Sequence, residues 1–170
     1  RDWKTGDPLD PANHLGAMID AAHCAKVASY LQGEAILTGE VDGPFISPTI
    51  YEVAKDDPRA REEIFGPVLS VITVASDDEA VELANDTKFG LQASVFTANN
   101  RKAIRAARAI RAGTVTVNCY GEGSVATPFG GYGLSGFGGR DNGIAAHDQF
   151  TETKTIWIDL TDPADGDDVG

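Results

Sequence analysis

Alternation of buried-strand patterns with capped helices is the feature that most restricts the fold of this chain. Residues 68–75 form a continuous apolar and β-branched run, the pattern of a strand buried on both faces of a parallel sheet. A capping box follows, because Ser76 and Glu79 can each bind a backbone N–H group of a new helix. Strand, helix and strand patterns then continue over residues 91–97, 100–111 and 114–118. The pattern predicts an α/β fold with an open, mostly parallel sheet and flanking helices.

The segment ahead of this alternation predicts one helix and two short strands. Apolar residues recur at helical spacing after Asp20, which is a candidate N-cap, and Gly33 is the expected stop. Residues 35–38 and 45–50 have strand patterns on either side of a glycine-containing turn. With 170 residues, the chain is long enough to bury one substantial core. We therefore expect residues 1–150 to be part of a single domain.

Regular alternation stops after residue 118. Residues 121–143 are dense in glycine and form either a structured loop region or a flexible one. A short helix is expected near residues 144–149 and a C-terminal strand over residues 153–160. Residues 161–170 are acidic and predict a disordered tail.

Composition excludes several classes of partner. The formal charge is −12, with 26 acidic against 14 basic residues, which disfavours nucleic acid and anionic membranes. No apolar stretch approaches the length of a membrane span, and no N-terminal signal pattern is present. Cys24 and Cys119 are too far apart in sequence to suggest a metal motif, and free thiols fit a reducing compartment. The expected location is the cytoplasm.

A carboxylate and an aromatic ring lie two residues apart just before the first buried strand. Glu63 and Phe65 would point to the same side of an extended backbone, where they could accept ribose hydroxyls and cover a flat heterocycle. The alternative is a surface glutamate beside a core phenylalanine at a Gly-Pro turn. The pattern alone leaves both interpretations open.

The glycine-dense segments also contain aromatic residues at fixed places. Residues 128–136 read Pro-Phe-Gly-Gly-Tyr-Gly-Leu-Ser-Gly, and residues 137–143 follow with Phe-Gly-Gly-Arg-Asp-Asn-Gly. Dense glycine lets a backbone approach a ligand or another segment closely. Flexible linkers rarely carry Phe, Tyr and Leu, so an ordered loop is favoured.

Four motifs in order resemble the aldehyde dehydrogenase superfamily over residues 10–160. They are Glu-Glu-Ile-Phe-Gly-Pro-Val at 62–68, Val-Asn-Cys-Tyr at 117–120, Pro-Phe-Gly-Gly-Tyr at 128–132 and Phe-Thr-Glu-Thr-Lys-Thr at 150–155. The ending Thr-Lys-Thr-Ile-Trp-Ile and an Asp-Pro-Leu-Asp-Pro-Ala opening are most similar to enzymes of amino aldehydes, including betaine aldehyde and γ-glutamyl-aminobutyraldehyde. Residues 1–150 thus resemble the C-terminal part of the catalytic domain.

The resemblance implies roles for three residues around an NAD or NADP cofactor. The glutamate matching Glu63 binds the hydroxyls of the nicotinamide ribose, and the phenylalanine matching Phe65 packs near the nicotinamide. Phe129 matches an aromatic residue that lines the aldehyde tunnel, where an apolar wall suits the substrate tail. The asparagine matching Asn118 is structural.

Further roles follow from the betaine-aldehyde branch. Asp141 matches an acidic residue in a charge relay, and the backbone carbonyls of Gly133 and Gly136 match positions that help to hold a potassium ion. The sequence departs from the family here, since Gly133 replaces a common lysine and Asp141 replaces the commoner glutamate. One extra residue at 138–139 shifts the loop register near Asp141.

The nucleophile of the family is missing from the chain. In the family, a cysteine thiolate attacks the aldehyde, and both this cysteine and the glutamate base precede the segment matched here. No Gly-x-Gly-x-x-Gly dinucleotide fingerprint is present either. We therefore expect a fragment of an NAD(P)-dependent aldehyde dehydrogenase that oxidises an aldehyde to a carboxylate, inactive in isolation. A thiol enzyme that uses Cys119 is a further hypothesis, although no His or Lys is close in sequence to activate it.

The C-terminal segment carries the expected subunit contact. In the family, the strand matching residues 153–160 joins a neighbouring subunit, which predicts a homo-oligomer, either a dimer or a tetramer. An ordinary edge strand within one subunit is the alternative. The rival for the whole chain is a non-enzymatic α/β interaction or oligomerisation module.

Overall fold

The computed structural model describes residues 3–121 and 123–160. Backbone contacts divide the chain into two compact units, with the boundary between Thr87 and Lys88. Each unit contains one pair of parallel strands with flanking helices, so the predicted α/β class is confirmed. The described strands form three separate two-stranded sheets rather than one continuous open sheet.

The first unit is built from three helices and four strands. The helices are α1 (Ala21–Ala28), α2 (Pro58–Arg61) and α3 (Asp77–Asn85), and the strands are β1 (Val41–Asp42), β2 (Phe45–Ile46), β3 (Thr49–Glu52) and β4 (Val68–Val71). Strands β1 and β2 form an antiparallel hairpin. Strands β3 and β4 are parallel, with Thr49 opposite Val68. This register places the residues just before β4 beside the start of β3.

Helix α1 begins where the sequence predicts and ends earlier. The carboxylate of Asp20 caps it by accepting a hydrogen bond from the backbone N–H of His23 at 2.7 Å. Beyond Ala28 the chain continues in tighter three-residue turns, in which the N–H of Tyr30 binds the carbonyl of Val27. The α-helix therefore stops several residues before Gly33.

The buried core of the first unit is small and lies between α1, β2 and the segment before β4. Val27 and Ile46 are fully buried, and Ile64 packs with them. Ile64 sits between the two residues of the predicted cofactor motif. Its burial anchors that motif to α1 by the hydrophobic effect.

The second unit repeats the strand, helix and strand order. It contains β5 (Gln92–Val95), α4 (Asn100–Ala109) and β6 (Thr114–Val117), with β5 and β6 parallel. Two 3₁₀ helices follow, Gly133–Ser135 and Ile144–Gln149. These elements agree with the sequence, which predicted the two strands, the long helix and the short helix near residue 144. Residues 123–143 of the glycine-dense region contain turns, the first 3₁₀ helix and a backbone bridge between Phe129 and Asp141.

Three strand predictions need correction. Residues 35–38 form only a single bridge, between Leu37 and Ile50. The strand expected over residues 45–50 is interrupted after Ile46, since Pro48 has no N–H group to donate to a ladder. Strand β4 is not buried on both faces, because Leu69 is 56% exposed and Val71 is 37% exposed.

The predicted C-terminal strand is absent from this single chain. Residues 151–160 are exposed and carry no strand. A strand needs a neighbouring strand, and none of the described strands pairs with this segment. Both interpretations, an edge strand within the subunit and pairing with another subunit, therefore stay predictions. The acidic tail predicted at residues 161–170 lies outside the described residues.

Arg59 joins α2 to the parallel strands of the first unit through its contact with Tyr51. The carboxylate of Asp57 caps α2 and binds the guanidinium of Arg59 at 2.7 Å. Arg59 also lies over the ring of Tyr51 in β3, with its Cζ atom 4.3 Å from the ring centroid. Hydrogen bonds from Arg59 lower the pKa of Asp57 from 3.8 to about 2.

This pair predicts a stability difference that depends on pH. The Asp57→Asn variant keeps a capping oxygen but loses the charge, so we expect it to unfold about 1 kcal/mol more easily at neutral pH. Because the folded-state pKa is lowered, the contribution of Asp57 is present above its unfolded value of about 3.9 and is lost as pH falls through about 2. Urea unfolding between about pH 6 and about pH 2 measures this.

The Asp20→Asn variant, at the N-cap of α1, controls for the general loss of a capping carboxylate. A difference between the wild type and Asp57→Asn that stays constant with pH would contradict the assignment.

Candidate functional site

The predicted cofactor motif exposes its two functional side chains. Glu63 is exposed, and the ring of Phe65 is 71% exposed, while Ile64 between them is 6% exposed. The alternative of a core phenylalanine is therefore wrong. An exposed carboxylate close to an exposed aromatic face presents hydrogen-bond acceptors and an apolar surface to a ligand.

The backbone at Phe65 differs from the extended form that the sequence predicted. Its φ angle is 60°, in the left-handed region that non-glycine residues rarely adopt. An aromatic residue in this conformation needs support from its surroundings. Backbone strain of this kind is often found at functional sites.

Helix α1 and the turn after it supply that support through three side chains. His23 Nε2 lies 2.7 Å from the carbonyl oxygen of Phe65, and Lys26 Nζ donates to the carbonyl of Glu63 at 3.3 Å. The hydroxyl of Tyr30 donates to the carboxylate of Glu62 at 2.5 Å, and this hydrogen bond raises the pKa of Tyr30. The segment from Glu62 to Phe65 is thus held by α1 and the turn that follows it.

Gly66 brings α1 close to the motif. A Cβ atom on Gly66 would lie 2.6 Å from a methyl group of Val27, which is fully buried. Only a residue without a side chain allows this contact. The glycine of the Ile-Phe-Gly-Pro motif therefore serves the packing of the motif against its supporting helix.

The substrate-tunnel candidate of the second unit is paired with Asp141. Phe129 and Asp141 form an isolated antiparallel bridge and exchange two backbone hydrogen bonds, each 2.7 Å long. Residues opposite each other in such a bridge place their side chains on the same side. Phe129 is 38% exposed, and both residues line an open cavity of about 290 Å³.

Gln149 fixes the position of the Asp141 carboxylate. Its Nε2 group donates to Asp141 Oδ1 at 3.0 Å and to the carbonyl of Arg140 at 2.8 Å. The guanidinium of Arg140 donates to the carbonyl of Gly139 at 2.7 Å and lies over the ring of Tyr132. The sequence does not reveal the role of Gln149, since nothing in its local pattern marks it.

The loop of residues 128–136 contacts the start of β6 directly through backbone atoms. A Cβ atom on Gly113 would lie 1.6 Å from the carbonyl oxygen of Gly130. The N–H of Gly113 and the N–H of Tyr132 both donate to the carbonyl of Gly90. Glycine at position 113 thus lets the loop that carries Phe129 lie against the start of β6.

The two predicted potassium ligands form only a partial set. The carbonyl of Gly133 accepts a long hydrogen bond of 3.4 Å from the N–H of Gly136, as part of a 3₁₀ turn. Sites that bind potassium through backbone carbonyls use rings of several such oxygens. These two carbonyls do not by themselves make such a site.

Asn118 has the structural role that the resemblance implied. Its φ angle is 56°, and its side chain accepts from the N–H of Thr97 at 2.8 Å and donates to the carbonyl of Thr97 at 3.0 Å. It therefore ties the end of β6 to the end of β5. Cys119 is half-buried next to it and is a free thiol.

The structure gathers the predicted residues in two groups, one in each unit. Glu63 and Phe65 lie together in the first unit, and Phe129, Gly136 and Asp141 line one cavity in the second. The sequence analysis does not identify the side chains of α1 and its following turn that hold the segment containing Glu63 and Phe65. Their spacing of three and four residues could have indicated a shared helix face.

Two features are absent from the part of the chain that the structure describes. Residues 3–121 and 123–160 contain no cluster of three or more His, Cys, Asp or Glu side chains arranged to bind a metal. Among the helices that the structure describes, none has the length and apolarity needed to cross a membrane.

Comparison with known proteins gives consistent matches along the chain. The model of the aldehyde dehydrogenase family matches residues 1–156. Aminoacetaldehyde dehydrogenase of Pseudomonas aeruginosa is 53% identical over 169 residues, covering 95% of this chain and 34% of that protein. The NADP/NAD-dependent aldehyde dehydrogenase PuuC of Escherichia coli is 44% identical, over 94% of this chain and 34% of that protein.

Solved structures match to the same extent. A mutant of the indole-3-acetaldehyde dehydrogenase AldA of P. syringae, in complex with NAD+ and IAA, superimposes with a TM-score of 0.86 at 43% identity. The match covers 94% of this chain and 34% of that one. The chain spans about a third of the length of the relatives it matches. From the family match and the shared fold, the chain belongs to the aldehyde dehydrogenase family.

Proposed function

We propose that the chain is the part of an NAD(P)-dependent aldehyde dehydrogenase that contacts the nicotinamide end of the cofactor and the substrate tail. The supporting observation is the segment from Glu62 to Phe65, where a strained backbone presents an exposed ring beside an exposed carboxylate. The longer enzyme would oxidise an aldehyde to a carboxylate. Its nucleophile and general base would come from residues outside this chain.

The exposed groups fit the nicotinamide end of NAD. The carboxylate of Glu63 can accept hydrogen bonds from ribose hydroxyls, and the exposed face of Phe65 can pack on a flat ring. When bound, the cofactor supplies a hydride acceptor. The residues of this chain bind and orient it, and Phe129 contributes an apolar wall to the substrate cavity.

The substrate class proposed is the amino aldehydes. Support comes from the 53% identity to a protein named aminoacetaldehyde dehydrogenase. Within the same proposal, Asp141 takes part in a charge relay, and the carbonyls of Gly133 and Gly136 contribute to a potassium site that other residues complete. The free thiols of Cys24 and Cys119 support a cytoplasmic location.

Oligomerisation through residues 153–160 is part of the proposal. Ile156, Ile158 and Leu160 are 70%, 69% and 88% exposed, and Trp157 between them is 92% exposed. An exposed apolar segment without a strand partner in its own chain can add to a sheet of another subunit. Sedimentation with and without residues 153–160 tests this pairing, and an unchanged oligomeric state after truncation would remove it.

The activity test compares this chain with the longer polypeptide that contains it. With NAD or NADP, the 170-residue chain is expected to give no reduced-cofactor absorbance with any aldehyde. The longer polypeptide is expected to oxidise aminoacetaldehyde at least about tenfold more efficiently than hexanal, measured as kcat/KM.

Each outcome of that test has a consequence. Turnover by the isolated chain would overturn the assignment of the nucleophile to another segment. A longer polypeptide that binds no cofactor and oxidises no aldehyde would overturn the enzymatic proposal and favour the non-enzymatic module. Equal kcat/KM for aminoacetaldehyde and hexanal would agree with an aldehyde dehydrogenase but would overturn the proposal that its substrates are amino aldehydes.

A further inference from the structure

Two side chains of α1 and one from the turn that follows it contact the predicted cofactor segment. His23, Lys26 and Tyr30 are separated by three and four residues, the spacing that places side chains on one helix face. They bind, in order, the carbonyl of Phe65, the carbonyl of Glu63 and the carboxylate of Glu62. The contacted residue number falls from 65 to 62 as the contacting residue number rises from 23 to 30, so the two segments run in opposite directions.

Of the three contacts, only that of His23 is made to the residue with the left-handed backbone. It reaches the backbone of Phe65, the residue with a φ angle of 60°. A left-handed backbone is unfavourable for an aromatic residue, so the conformation depends on interactions that fix it from outside. The hydrogen bond to the Phe65 carbonyl, at 2.7 Å, acts on the peptide group whose orientation this conformation sets.

Neighbouring contacts fix which imidazole nitrogen carries the proton. The backbone N–H of Ile19 points at Nδ1 of His23 at 3.4 Å, so Nδ1 is the acceptor in the neutral ring. The Nε2 atom then carries the hydrogen and donates it to the Phe65 carbonyl. The first turn of α1, capped by Asp20, holds the backbone of His23 in place.

We propose that His23 is a positioning residue: its Nε2–H group holds the Phe65 carbonyl so that the ring is presented to the nicotinamide. This inference rests on the proposed function and goes beyond it by assigning a role to a residue outside the cofactor motif. His23 acts through Phe65 and does not touch the ligand. Its effect should therefore fall on the part of the cofactor that Phe65 contacts.

The test uses the longer polypeptide and two ligands, NAD and AMP, with affinities measured by calorimetry. AMP shares the adenosine half of NAD and lacks the nicotinamide. The His23→Leu variant removes the donor and is expected to weaken NAD binding about tenfold, with AMP affinity unchanged. The His23→Gln variant keeps a donor of similar reach and is expected to restore NAD affinity to within about twofold of wild type.

Two further variants make the result specific. His14→Leu makes the same substitution at a histidine that binds the backbone of Lys4, outside the contacts described above, and is expected to leave NAD affinity unchanged. In a double-mutant cycle, adding His23→Leu to Phe65→Ala should cause no further loss, since the ring that His23 positions is gone. If His23→Leu does not fold, His23→Asn, whose side chain is too short to reach, takes its place.

The outcomes separate this inference from the function on which it rests. A wild-type protein that binds no NAD overturns the proposed function. A wild-type protein that binds NAD and is weakened by Phe65→Ala, but not by His23→Leu, overturns the role of His23 alone. An equal loss of AMP and NAD affinity in His23→Leu would also overturn it, because it would indicate general structural damage.

Discussion

Replacing Gly113 with alanine is expected to lower the free energy of unfolding by about 3 kcal/mol or more. The added Cβ atom would lie 1.6 Å from the carbonyl oxygen of Gly130, so the two backbones must separate. Separation also strains the hydrogen bond from the N–H of Gly113 to the carbonyl of Gly90. Thermal unfolding followed by circular dichroism should show a midpoint lowered by about 10 °C.

Gly123, in the glycine-dense region, provides a control for this prediction. A Cβ atom on Gly123 would meet no atom within 4 Å, so Gly123→Ala is expected to change stability by less than about 0.5 kcal/mol. Equal stability of the two variants would show that the backbones of Gly113 and Gly130 do not touch in solution.

Removing the ring of Phe65 is expected to weaken NAD binding by about tenfold to a hundredfold in the longer polypeptide. Two variants, Phe65→Ala and Phe65→Gly, should share this loss because both lack the ring. They should differ in stability, since glycine adopts a φ angle of 60° without the steric cost that alanine has. We expect Phe65→Gly to be more stable than Phe65→Ala by about 1 kcal/mol. Calorimetry with NAD and urea unfolding measure the two effects.

Phe96→Ala serves as the control for loss of an exposed ring. Phe96 is 66% exposed and lies just after β5, so its removal should leave NAD affinity unchanged. Phe65→Gly binding NAD as tightly as wild type would contradict the proposed contact. Equal stability of the glycine and alanine variants would contradict the left-handed backbone.

Local features of the fold could be predicted because local residues cause them. Asp20 caps α1 by accepting from the N–H of His23, three residues further on. Ser76 caps α3 in the same way by accepting from the N–H of Glu79. Glu79 in turn accepts from the N–H of Ala75, one residue before the N-cap, so the return bond of the predicted capping box is displaced by one residue. Such signals depend on a few neighbouring residues and are visible in the sequence.

Features that depend on distant partners could not be predicted. The exposure of Leu69 depends on what covers β4, and the run of apolar residues gives no information about that. Residues 153–160 have a strand pattern, but a strand also requires a neighbour, which the described chain does not supply. The left-handed backbone of Phe65 and its contact with His23 arise from the packing of two segments 42 residues apart.

Sequence motifs indicate the exposed candidate residues of the site but not the residues that support them. Glu63, Phe65 and Phe129 were named from motifs, because ligand contacts need particular side chains at particular places. Gln149 was missed, since it acts on Asp141 through a fold contact rather than a motif. Residues that hold a site in place carry weaker sequence signals than those that touch the ligand.

The contacts of Gly66 and Gly113 differ in how freely each position can change over evolution. A larger residue at 66 meets the side chain of Val27, so a second mutation that shortens Val27 provides room. A larger residue at 113 meets the main chain of Gly130, where no side-chain atoms remain to be removed. A second-site mutation can thus compensate for a larger residue at position 66, but none can compensate in the same way at position 113. Variation at position 113 should therefore be the more restricted, although this glycine lies outside the Pro-Phe-Gly-Gly-Tyr motif of the loop it holds.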